Sequence, residues 1–240
     1  MPSSIFKNSK IFQLTTLYKI YGPWWTIKLS ILALKRYLFN VSILHSYSQY
    51  GEDLFMAKLL NHKKNIFYID IGSNHPTKFN NTYHFYRQGH AGIVVEPAVH
   101  LIKLHKLVRP RDVSLNIGIS NHNSTMDFYE IYPDVGSTFS KAELNQQLAS
   151  GAKLIKTTKI KTLTLSNLIN KYAKNTHIDI LSVDTEGHDL EVLSSNDWQK
   201  HRPGVVCVET LKDSGVHDLL IHHNYRRVFQ NAINSIYETM

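Results

Sequence analysis

Short apolar runs alternate with stretches of helical periodicity along the chain from Ser48 onward. The runs are nearly continuous and are bounded by turn-forming residues, which is typical of strands buried on both faces of a sheet. We predict such strands over residues 66–71, 92–96, 113–119, 126–131, 155–160, 178–184 and 205–209. Residues 225–229 and 233–237 predict a hairpin that closes the fold.

Helical patterns separate the predicted strands. Asn81 or Thr82 is expected to cap one helix, and Pro97 is expected to begin the next. Residues 140–143 (Ser-Lys-Ala-Glu) form a capping box, which opens a helix that Gly151 can close. Further helices are predicted over residues 165–172 and 189–193. Strands that alternate with helices predict a parallel sheet covered on both faces.

Residues 1–45 differ from the rest of the chain, because they hold two of the three tryptophans and no acidic residue. Lys19, Lys28 and Lys35 interrupt the apolar stretches, so none reaches the roughly 20 residues of a membrane span. No small-residue cleavage site follows an apolar core, which disfavours a cleavable signal. The helical spacing of the apolar residues predicts a basic amphipathic appendage. It would lie on an anionic membrane, or dock on its own domain or on a second subunit.

The length of the remaining segment, residues 46–240, leaves room for one folded domain. Apolar residues make up 42% of the chain and charged residues 19%, which excludes a disordered protein. Cys207 is the only cysteine, so a disulfide framework and a cysteine-based zinc site are excluded. The net charge of +8 favours an acidic partner, such as nucleic acid, anionic lipid or a phosphorylated substrate, without choosing among them.

Acidic residues stand at the ends of four predicted strands. Asp70, Glu96, Asp184 and Glu209 each lie at the carboxyl end of an apolar run. In an open parallel sheet these ends meet along one crevice, which is where ligands bind. We therefore predict that the four carboxyl groups converge on a shared ligand site.

The turn after the first strand indicates what kind of ligand that site takes. Gly72 lets the chain turn tightly after Asp70 and approach a ligand closely. The segment is not the Gly-x-Gly-x-x-Gly loop of a dinucleotide site, and the sequence contains no P-loop motif. Glu96 follows about 26 residues after Asp70, which suits a carboxylate that accepts hydrogen bonds from a ribose diol. A ribose without a pyrophosphate cradle suggests S-adenosylmethionine.

Five segments together resemble one enzyme family. They are residues 48–53, 68–76 (Tyr-Ile-Asp-Ile-Gly-Ser-Asn-His-Pro), 80–86, 95–97 and 183–193. As a set, which covers residues 48–210, they are similar to the FkbM family of S-adenosylmethionine-dependent methyltransferases. The resemblance implies an α/β class I methyltransferase (Rossmann-like) fold with a mostly parallel seven-stranded sheet, an antiparallel last strand and helices on both faces. Residues 46–240 would then be the methyltransferase domain, preceded by the helical appendage.

The resemblance also carries cofactor-binding roles to seven positions. They are Asp70, Gly72, Ser73, Asn74, Glu96, Pro97 and Asn116. The positions in the turn resemble the loop that holds the methionine end of the cofactor, and Glu96 matches the acidic ribose ligand. Asn116 is similar to residues on the adenine side. The chain departs from the glycine-rich loop of class I methyltransferases, because only Asp-x-Gly is present and His75 and Pro76 follow.

Methyl transfer to a hydroxyl requires an acceptor for the hydroxyl proton, and the sequence offers four candidates. They are Asp184, Glu186, His188 and Glu209. One alternative makes His188 or one of the carboxylates the general base. The other makes Asp184 and Glu209 ligands of Mg²⁺, which prefers oxygen donors and retains water. Both alternatives place the chemistry at the ends of two adjacent strands.

Three functions remain open at this point. The leading one is an S-adenosylmethionine-dependent O-methyltransferase that acts on a hydroxyl of a sugar, a glycan or a related small molecule. A nucleic-acid methyltransferase is favoured by the net charge, but carboxylates beside the site would repel phosphates, so we expect no nucleic-acid partner. The third is a non-catalytic, membrane-associated binding protein that keeps the fold. We expect a cytoplasmic protein, peripheral at the inner face of the membrane through residues 1–45, and able to form a homo-oligomer.

Overall fold

The computed structural model describes residues 46–210 and 215–240. In chain order, the elements are α1 (Glu52–Leu59), β1 (Phe67–Ile71), α2 (Tyr83–Arg87), β2 (Ala91–Val95), α3 (Val99–Val108), β3 (Val113–Leu115), β4 (Gly118–Ile119), β5 (Ser124–Tyr132), a 3₁₀ turn (Asp134–Gly136), α4 (Lys141–Ala149), β6 (Lys153–Leu163), α5 (Leu165–Tyr172), β7 (Ile180–Val183), α6 (Asp189–Ser194), β8 (Val205–Glu209), α7 (Val216–His222), β9 (Tyr225–Gln230) and β10 (Asn234–Thr239).

The main sheet has seven strands in the order β3-β2-β1-β7-β8-β10-β9. Strands β1, β2, β3, β7 and β8 pair in parallel, whereas β10 is antiparallel to both of its neighbours, β8 and β9. The strand order reverses direction between β1 and β7, which is the kind of switch point where α/β sheets bind ligands. The predicted mixed α/β fold with a mainly parallel central sheet is confirmed.

Two apolar cores lie on the two faces of this sheet. Alternation along β1 sends Ile69 and Ile71 into one core, with apolar residues of α5, α6 and α7, and Tyr68 into the other, with residues of α1 and α2. All four residues of β7 (Ile180–Val183) are buried, as expected for a central strand covered on both faces. The continuous apolar runs of the sequence therefore form the centre of the sheet.

A second, three-stranded sheet was not predicted. The sequence pattern over residues 113–119 predicts one strand, but the structure divides it into β3 of the main sheet and β4 of the second sheet. The second sheet has the order β4-β6-β5, and the long strands β5 and β6 pair antiparallel along their whole length. The prediction of a single third strand is wrong because Asn116 turns out of the ladder and uses its side chain to bond Glu96 and Pro97.

The predicted helix boundaries differ in accuracy. Ser140 caps α4 as expected, since its hydroxyl accepts a hydrogen bond from the Glu143 backbone N–H at 3.2 Å. Thr82 stands at the cap position of α2, but its hydroxyl makes no capping bond and donates instead to Asp70 at 2.6 Å. The predicted helix start at Pro97 is wrong: α3 begins at Val99, after an extended Ala98.

The predicted amphipathic appendage, residues 1–45, lies outside the described residues. Across residues 46–210 and 215–240, we find no helix that combines the length and the apolar character needed to cross a bilayer. The site described next lies wholly within these two ranges.

Candidate active site

A cavity of about 350 Å³ opens at the carboxyl edge of the main sheet. Its inner wall is formed by residues that follow β1, β2 and β7, and its outer wall by β5, β6 and the 3₁₀ turn. Its volume falls in the range of about 300–1,000 Å³ that is usual for small-molecule sites. The cavity is therefore large enough for a cofactor-sized ligand, and it lies where the strand order predicts a binding site.

The turn after β1 brings the backbone close to the end of β7. Gly72 has a φ of 74°, and a Cβ at this position would lie 1.8 Å from the carbonyl oxygen of Asp184. The Gly72 N–H donates to the Val95 carbonyl at 3.0 Å, which joins the turn to β2. Only glycine fits here, both for its backbone angle and for the contact with Asp184.

Glu96 forms the polar end of the inner wall. Its side chain is buried, and its two oxygens accept hydrogen bonds from the backbone N–H groups of Asn74 at 2.9 Å and Ala98 at 2.8 Å. Burial raises the pKa of Glu96 to about 7, although the two backbone hydrogen bonds favour the ionised form. Glu96 is thus a carboxylate with a fixed orientation, held between the turn after β1 and the turn after β2.

Two further carboxylates, Asp184 and Glu186, line the cavity just after β7. Both are partly exposed, and both have a raised pKa. Burial is the main cause of both rises in pKa, and the charges of neighbouring carboxylates add to them. Among these charges, Glu209 has the largest effect on the pKa of Asp184, and Asp184 has the largest effect on the pKa of Glu186. The strands β7 and β8 pair in register up to Val183 and Val208, which sets Asp184 beside Glu209.

The backbone of this segment is held in an unusual conformation. Glu186 has a φ of 52° and Gly187 a φ of 86°, so two consecutive residues are left-handed. The Thr138 hydroxyl donates to the Glu186 carbonyl at 2.8 Å, and the Asp189 carboxylate accepts from the Thr185 N–H at 2.9 Å. Non-glycine residues with positive φ concentrate at functional sites, where the surrounding contacts hold them in place.

Asp70 does not line the cavity, although its sequence position resembles that of Glu96. Its carboxylate is buried and accepts from the Thr82 hydroxyl at 2.6 Å and from Asn80 Nδ2 at 3.3 Å. The same Asn80 Nδ2 donates to the Ser73 carbonyl at 3.0 Å, which ties Asp70 to the turn. Burial raises the pKa of Asp70, and the nearby Arg109 charge opposes that rise. Asp70 therefore supports the turn from behind.

Other predicted site residues also lie outside the cavity lining. The Ser73 hydroxyl lies 3.1 Å from His105 Nε2, within the buried layer behind the turn. The Asn116 amide donates to the carbonyls of Glu96 at 3.0 Å and Pro97 at 2.7 Å, so it fixes the turn that carries Glu96. Of the seven predicted cofactor-binding residues, Gly72, Asn74, Glu96 and Pro97 line the cavity.

Among the four catalytic candidates, Asp184 and Glu186 line the cavity, and His188 and Glu209 do not. His188 Nε2 pairs with the Ser120 hydroxyl at 3.0 Å, and burial lowers the pKa of the imidazole. Glu209 acts on the cavity through its charge beside Asp184.

Sequence reasoning missed the residues that support the turn. Arg109 is fully buried and donates to Asp112 at 2.7 Å, to Asn80 at 3.0 Å and to Thr82 at 2.9 Å. His105 Nε2 donates to the Asn74 carbonyl at 2.8 Å, and burial lowers the pKa of the His105 imidazole to about 4. Arg109 directly follows α3, and no local pattern marked its role, because its partners Asn80 and Thr82 are distant in sequence.

The donors for the predicted Mg²⁺ site are incomplete. Within the two described ranges, no group of three or more His, Cys, Asp or Glu side chains is arranged to hold a metal ion. Asp184 and Glu209 are neighbours, but among the described residues no third His, Cys, Asp or Glu joins them in an arrangement that would hold a metal ion. This donor set does not fit a dedicated metal site, so we derive no step through a metal.

Comparison with known proteins agrees with the geometry. A search of curated proteins finds no match to the chain. The protein-family model for the methyltransferase FkbM domain matches residues 70–227, which is more than half of the 240 residues. The matched range includes the cavity residues Gly72, Glu96, Asp184 and Glu186. The chain therefore belongs to the FkbM methyltransferase family.

Proposed function

We propose that this chain is an S-adenosylmethionine-dependent O-methyltransferase that acts on a hydroxyl of a sugar, a glycan or a related small molecule. The observation that carries the proposal is the position of Glu96, which lines a cofactor-sized cavity with both oxygens oriented by backbone donors. A carboxylate at the end of the second strand is placed to accept hydrogen bonds from a ribose diol.

The donors around the inner wall fit this cofactor. Glu96 would hold the ribose, and the turn at Gly72 and Asn74 would hold the methionine end with backbone groups. The cofactor carries positive charge on its sulfonium and its ammonium, which the carboxylates of Asp184 and Glu186 would favour. When bound, S-adenosylmethionine supplies an electrophilic methyl group.

Asp184 is the proposed general base. A sugar hydroxyl must lose its proton as its oxygen becomes a nucleophile, and a carboxylate with a raised pKa holds that proton better than an ordinary one. Burial and the nearby charge of Glu209 raise the pKa of Asp184, and Asp184 lines the cavity. Glu186 shares the wall and contributes to the same field.

The cofactor proposal is tested by titration calorimetry of the full chain with S-adenosylmethionine. We expect saturable binding in the micromolar range, and Glu96→Gln is expected to weaken it about tenfold, the loss of one hydrogen-bonded charge. Asp70→Asn is the matched control, because it makes the same kind of change to a carboxylate that does not line the cavity. Absence of binding heat with the wild-type chain contradicts the proposal.

The base is tested separately with radiolabelled cofactor and a panel of glycosides. Asp184→Asn is expected to keep cofactor affinity within about threefold and to lose methyl transfer by at least about 100-fold, the usual contribution of a general base. Transfer that is equally fast with Asp184→Asn assigns the proton to another group. Measurement in excess chelator shows whether activity depends on a divalent ion.

Membrane contact through residues 1–45 and self-association remain predictions. Sedimentation of the full chain with phosphatidylglycerol vesicles, compared with phosphatidylcholine vesicles, tests the first. Analytical ultracentrifugation tests the second. A chain that stays in the supernatant with both vesicle types contradicts the predicted membrane contact.

A further inference from the structure

Four large apolar side chains surround the cavity mouth and remain in contact with solvent. We call Phe79, Tyr132, Val135 and Ile155 the apolar rim; their exposed fractions are 58%, 50%, 47% and 62%. Scattered exposed apolar residues are ordinary, but a contiguous group around a cavity marks a surface that a ligand covers. The rim is continuous with the proposed active site, since the same cavity is lined by Glu96 and Asp184.

The backbone is distorted at two of these four positions. Phe79 has a φ of 52°, a left-handed conformation that is costly for an aromatic residue. Strand β6 is bulged at Ile155: Lys156 pairs with Glu130 and Leu154 with Ile131, which leaves Ile155 without a partner in the ladder. Bulges redirect side chains and occur beside active sites. Both distortions hold an apolar side chain at the cavity mouth. There the side chain stays exposed to solvent and stabilises the fold little.

Apart from His100, the charged residues that line the cavity inside the rim are acidic. Glu96, Asp134, Asp184 and Glu186 line the cavity, and no Lys or Arg of the described residues lines it. Glu130 also lines it and is paired with Lys156 at 3.0 Å and His100 at 3.6 Å. An anionic group brought into this cavity would face several carboxylates without a guanidinium or ammonium to pair with, whereas the net charge of the chain is +8.

We infer that the apolar rim is the acceptor subsite, and that the acceptor is a hydroxyl compound with an apolar face beside the methylated group and no negative charge. This inference rests on the proposed function and narrows its acceptor class. It favours glycosides and other hydroxyl compounds that carry an aryl or alkyl group. It disfavours sugar phosphates, sugar nucleotides and uronic acids.

Three probes separate the apolar requirement from the charge requirement. They are phenyl β-D-glucoside, methyl β-D-glucoside, which lacks the ring, and phenyl β-D-glucuronide, which adds a carboxylate. Dissociation constants are measured by NMR titration on the full chain saturated with S-adenosylhomocysteine, which has no methyl group to transfer, so the probes are not consumed. We expect phenyl glucoside to bind at least about tenfold more tightly than either of the other two, because it alone meets both requirements.

Variants of the rim test the same inference on the protein side. Phe79→Asn and Ile155→Thr are expected to weaken phenyl glucoside binding about fivefold and to leave cofactor affinity within twofold. Asn tolerates the left-handed backbone and Thr keeps the strand preference of Ile. The controls are Leu107→Asn on α3 and Ile221→Thr on α7, which remove exposed apolar side chains that do not line the cavity. Asp134→Lys is expected to tighten phenyl glucuronide binding several-fold.

The outcomes distinguish the two proposals. A chain that does not bind S-adenosylmethionine overturns the proposed function and this inference with it. A chain that binds the cofactor but binds the three probes equally, or binds none, overturns the acceptor inference alone. Rim variants that lower the melting temperature more than their controls while binding the phenyl glucoside unchanged show that the rim serves the fold, and this also overturns the inference.

Discussion

The buried layer behind β1 and the cavity at the carboxyl edge of the sheet both contain acidic residues. In the buried layer these carboxylates accept hydrogen bonds from nearby donors, whereas in the cavity they lie near other carboxylates. In the layer behind, Asp112 accepts from the Tyr68 hydroxyl at 2.7 Å and from Arg109 at 2.7 Å, and Asp70 accepts from Thr82 at 2.6 Å. In the cavity, Asp184 and Glu186 face other carboxylates, which raise the pKa of both. We call the first region the buried network; its members are Tyr68, Asp70, Asn80, Thr82, Arg109 and Asp112.

This difference separates structural carboxylates from those available to a ligand. A buried acid with several donors stabilises the elements that it joins and has little capacity left for a ligand. Acids that face one another at an open cavity disfavour the ligand-free state and favour a cationic ligand or a proton. The buried network therefore holds the turn after β1 in place, and the cavity carboxylates carry out the proposed chemistry.

The largest expected effect comes from removing the charge at the centre of the buried network. Arg109→Met leaves Asp70 and Asp112 without their cation in a fully buried layer. We expect the free energy of unfolding to fall by about 3–5 kcal/mol, as for other broken buried ion pairs. Urea denaturation followed by circular dichroism measures it. Arg226→Met, which breaks an exposed pair with Glu238, is the control and is expected to cost about 0–1 kcal/mol.

A smaller loss of unfolding free energy is expected when Gly72 in the turn after β1 is replaced. Gly72→Ala places a Cβ 1.8 Å from the Asp184 carbonyl oxygen, which forces the turn and the end of β7 apart. We expect a destabilisation of about 2–4 kcal/mol, the sum of a left-handed alanine and a backbone clash. Gly51→Ala has a similar φ of 91° and no atom within 4 Å, so it measures the backbone term alone. Equal losses for the two variants would show that the close approach to Asp184 is not needed.

Two isosteric substitutions are expected to differ in their effect on cofactor affinity, because only one of the two carboxylates lines the cavity. Asp70→Asn removes a charge that accepts from Thr82 and Asn80, so we expect a loss of about 1.5–3 kcal/mol in stability and little change in cofactor affinity. Glu96→Gln is expected to weaken cofactor binding about tenfold, and also to lower stability, because the amide nitrogen would face one of the two backbone N–H donors. Denaturation and calorimetry on both variants measure the four values. If both variants lose cofactor affinity to the same extent, the difference between a structural Asp70 and a ligand-binding Glu96 is contradicted.

The smallest effect expected is a pH dependence centred on Glu96. Its pKa of about 7 in the fold lies above the ordinary 4.5, so its contribution to stability is complete below pH 4.5 and is lost as the pH rises through 7. Cofactor affinity changes in the opposite direction, because the ionised carboxylate accepts the ribose hydrogen bonds. Between pH 7 and pH 5.5 we expect affinity to fall by about tenfold in total at most, about 1.4 kcal/mol, because protonation removes the same charge as Glu96→Gln. Calorimetry from pH 5.5 to 8.5 measures it, and Glu96→Gln is expected to flatten the profile.

The sequence predicted most of the strands well because burial on both faces leaves a strong local pattern, whereas the helices α1 and α7 were not predicted. The run over residues 178–184, for example, is apolar up to the strand end apart from a few polar positions, and it forms the fully buried β7. Residues 113–119 have the same appearance, yet they split between two sheets. No local pattern marks that division, because it depends on Asn116 bonding to the turn after β2.

Of the four strand-end acids predicted to converge, the two that follow their strands line the cavity. Glu96 and Asp184 come one residue after β2 and β7, where the chain turns, and both line the cavity. Asp70 and Glu209 lie within β1 and β8, where the pleat fixes the direction of each side chain, and neither lines it. A difference of one or two residues relative to the strand end decided the outcome, and strand boundaries are what sequence patterns locate least accurately.

The amino-acid sequence by itself determined the order of the elements, the family and the acids available at the sheet edge, because each depends on residue type and spacing along the chain. Only the tertiary structure decided which acids reach the cavity and brought Arg109 near Asp70, since the first depends on strand pleat and the second joins residues distant in sequence. The bulge at Ile155 and the second sheet that complete the cavity mouth are likewise products of long-range pairing between β5 and β6.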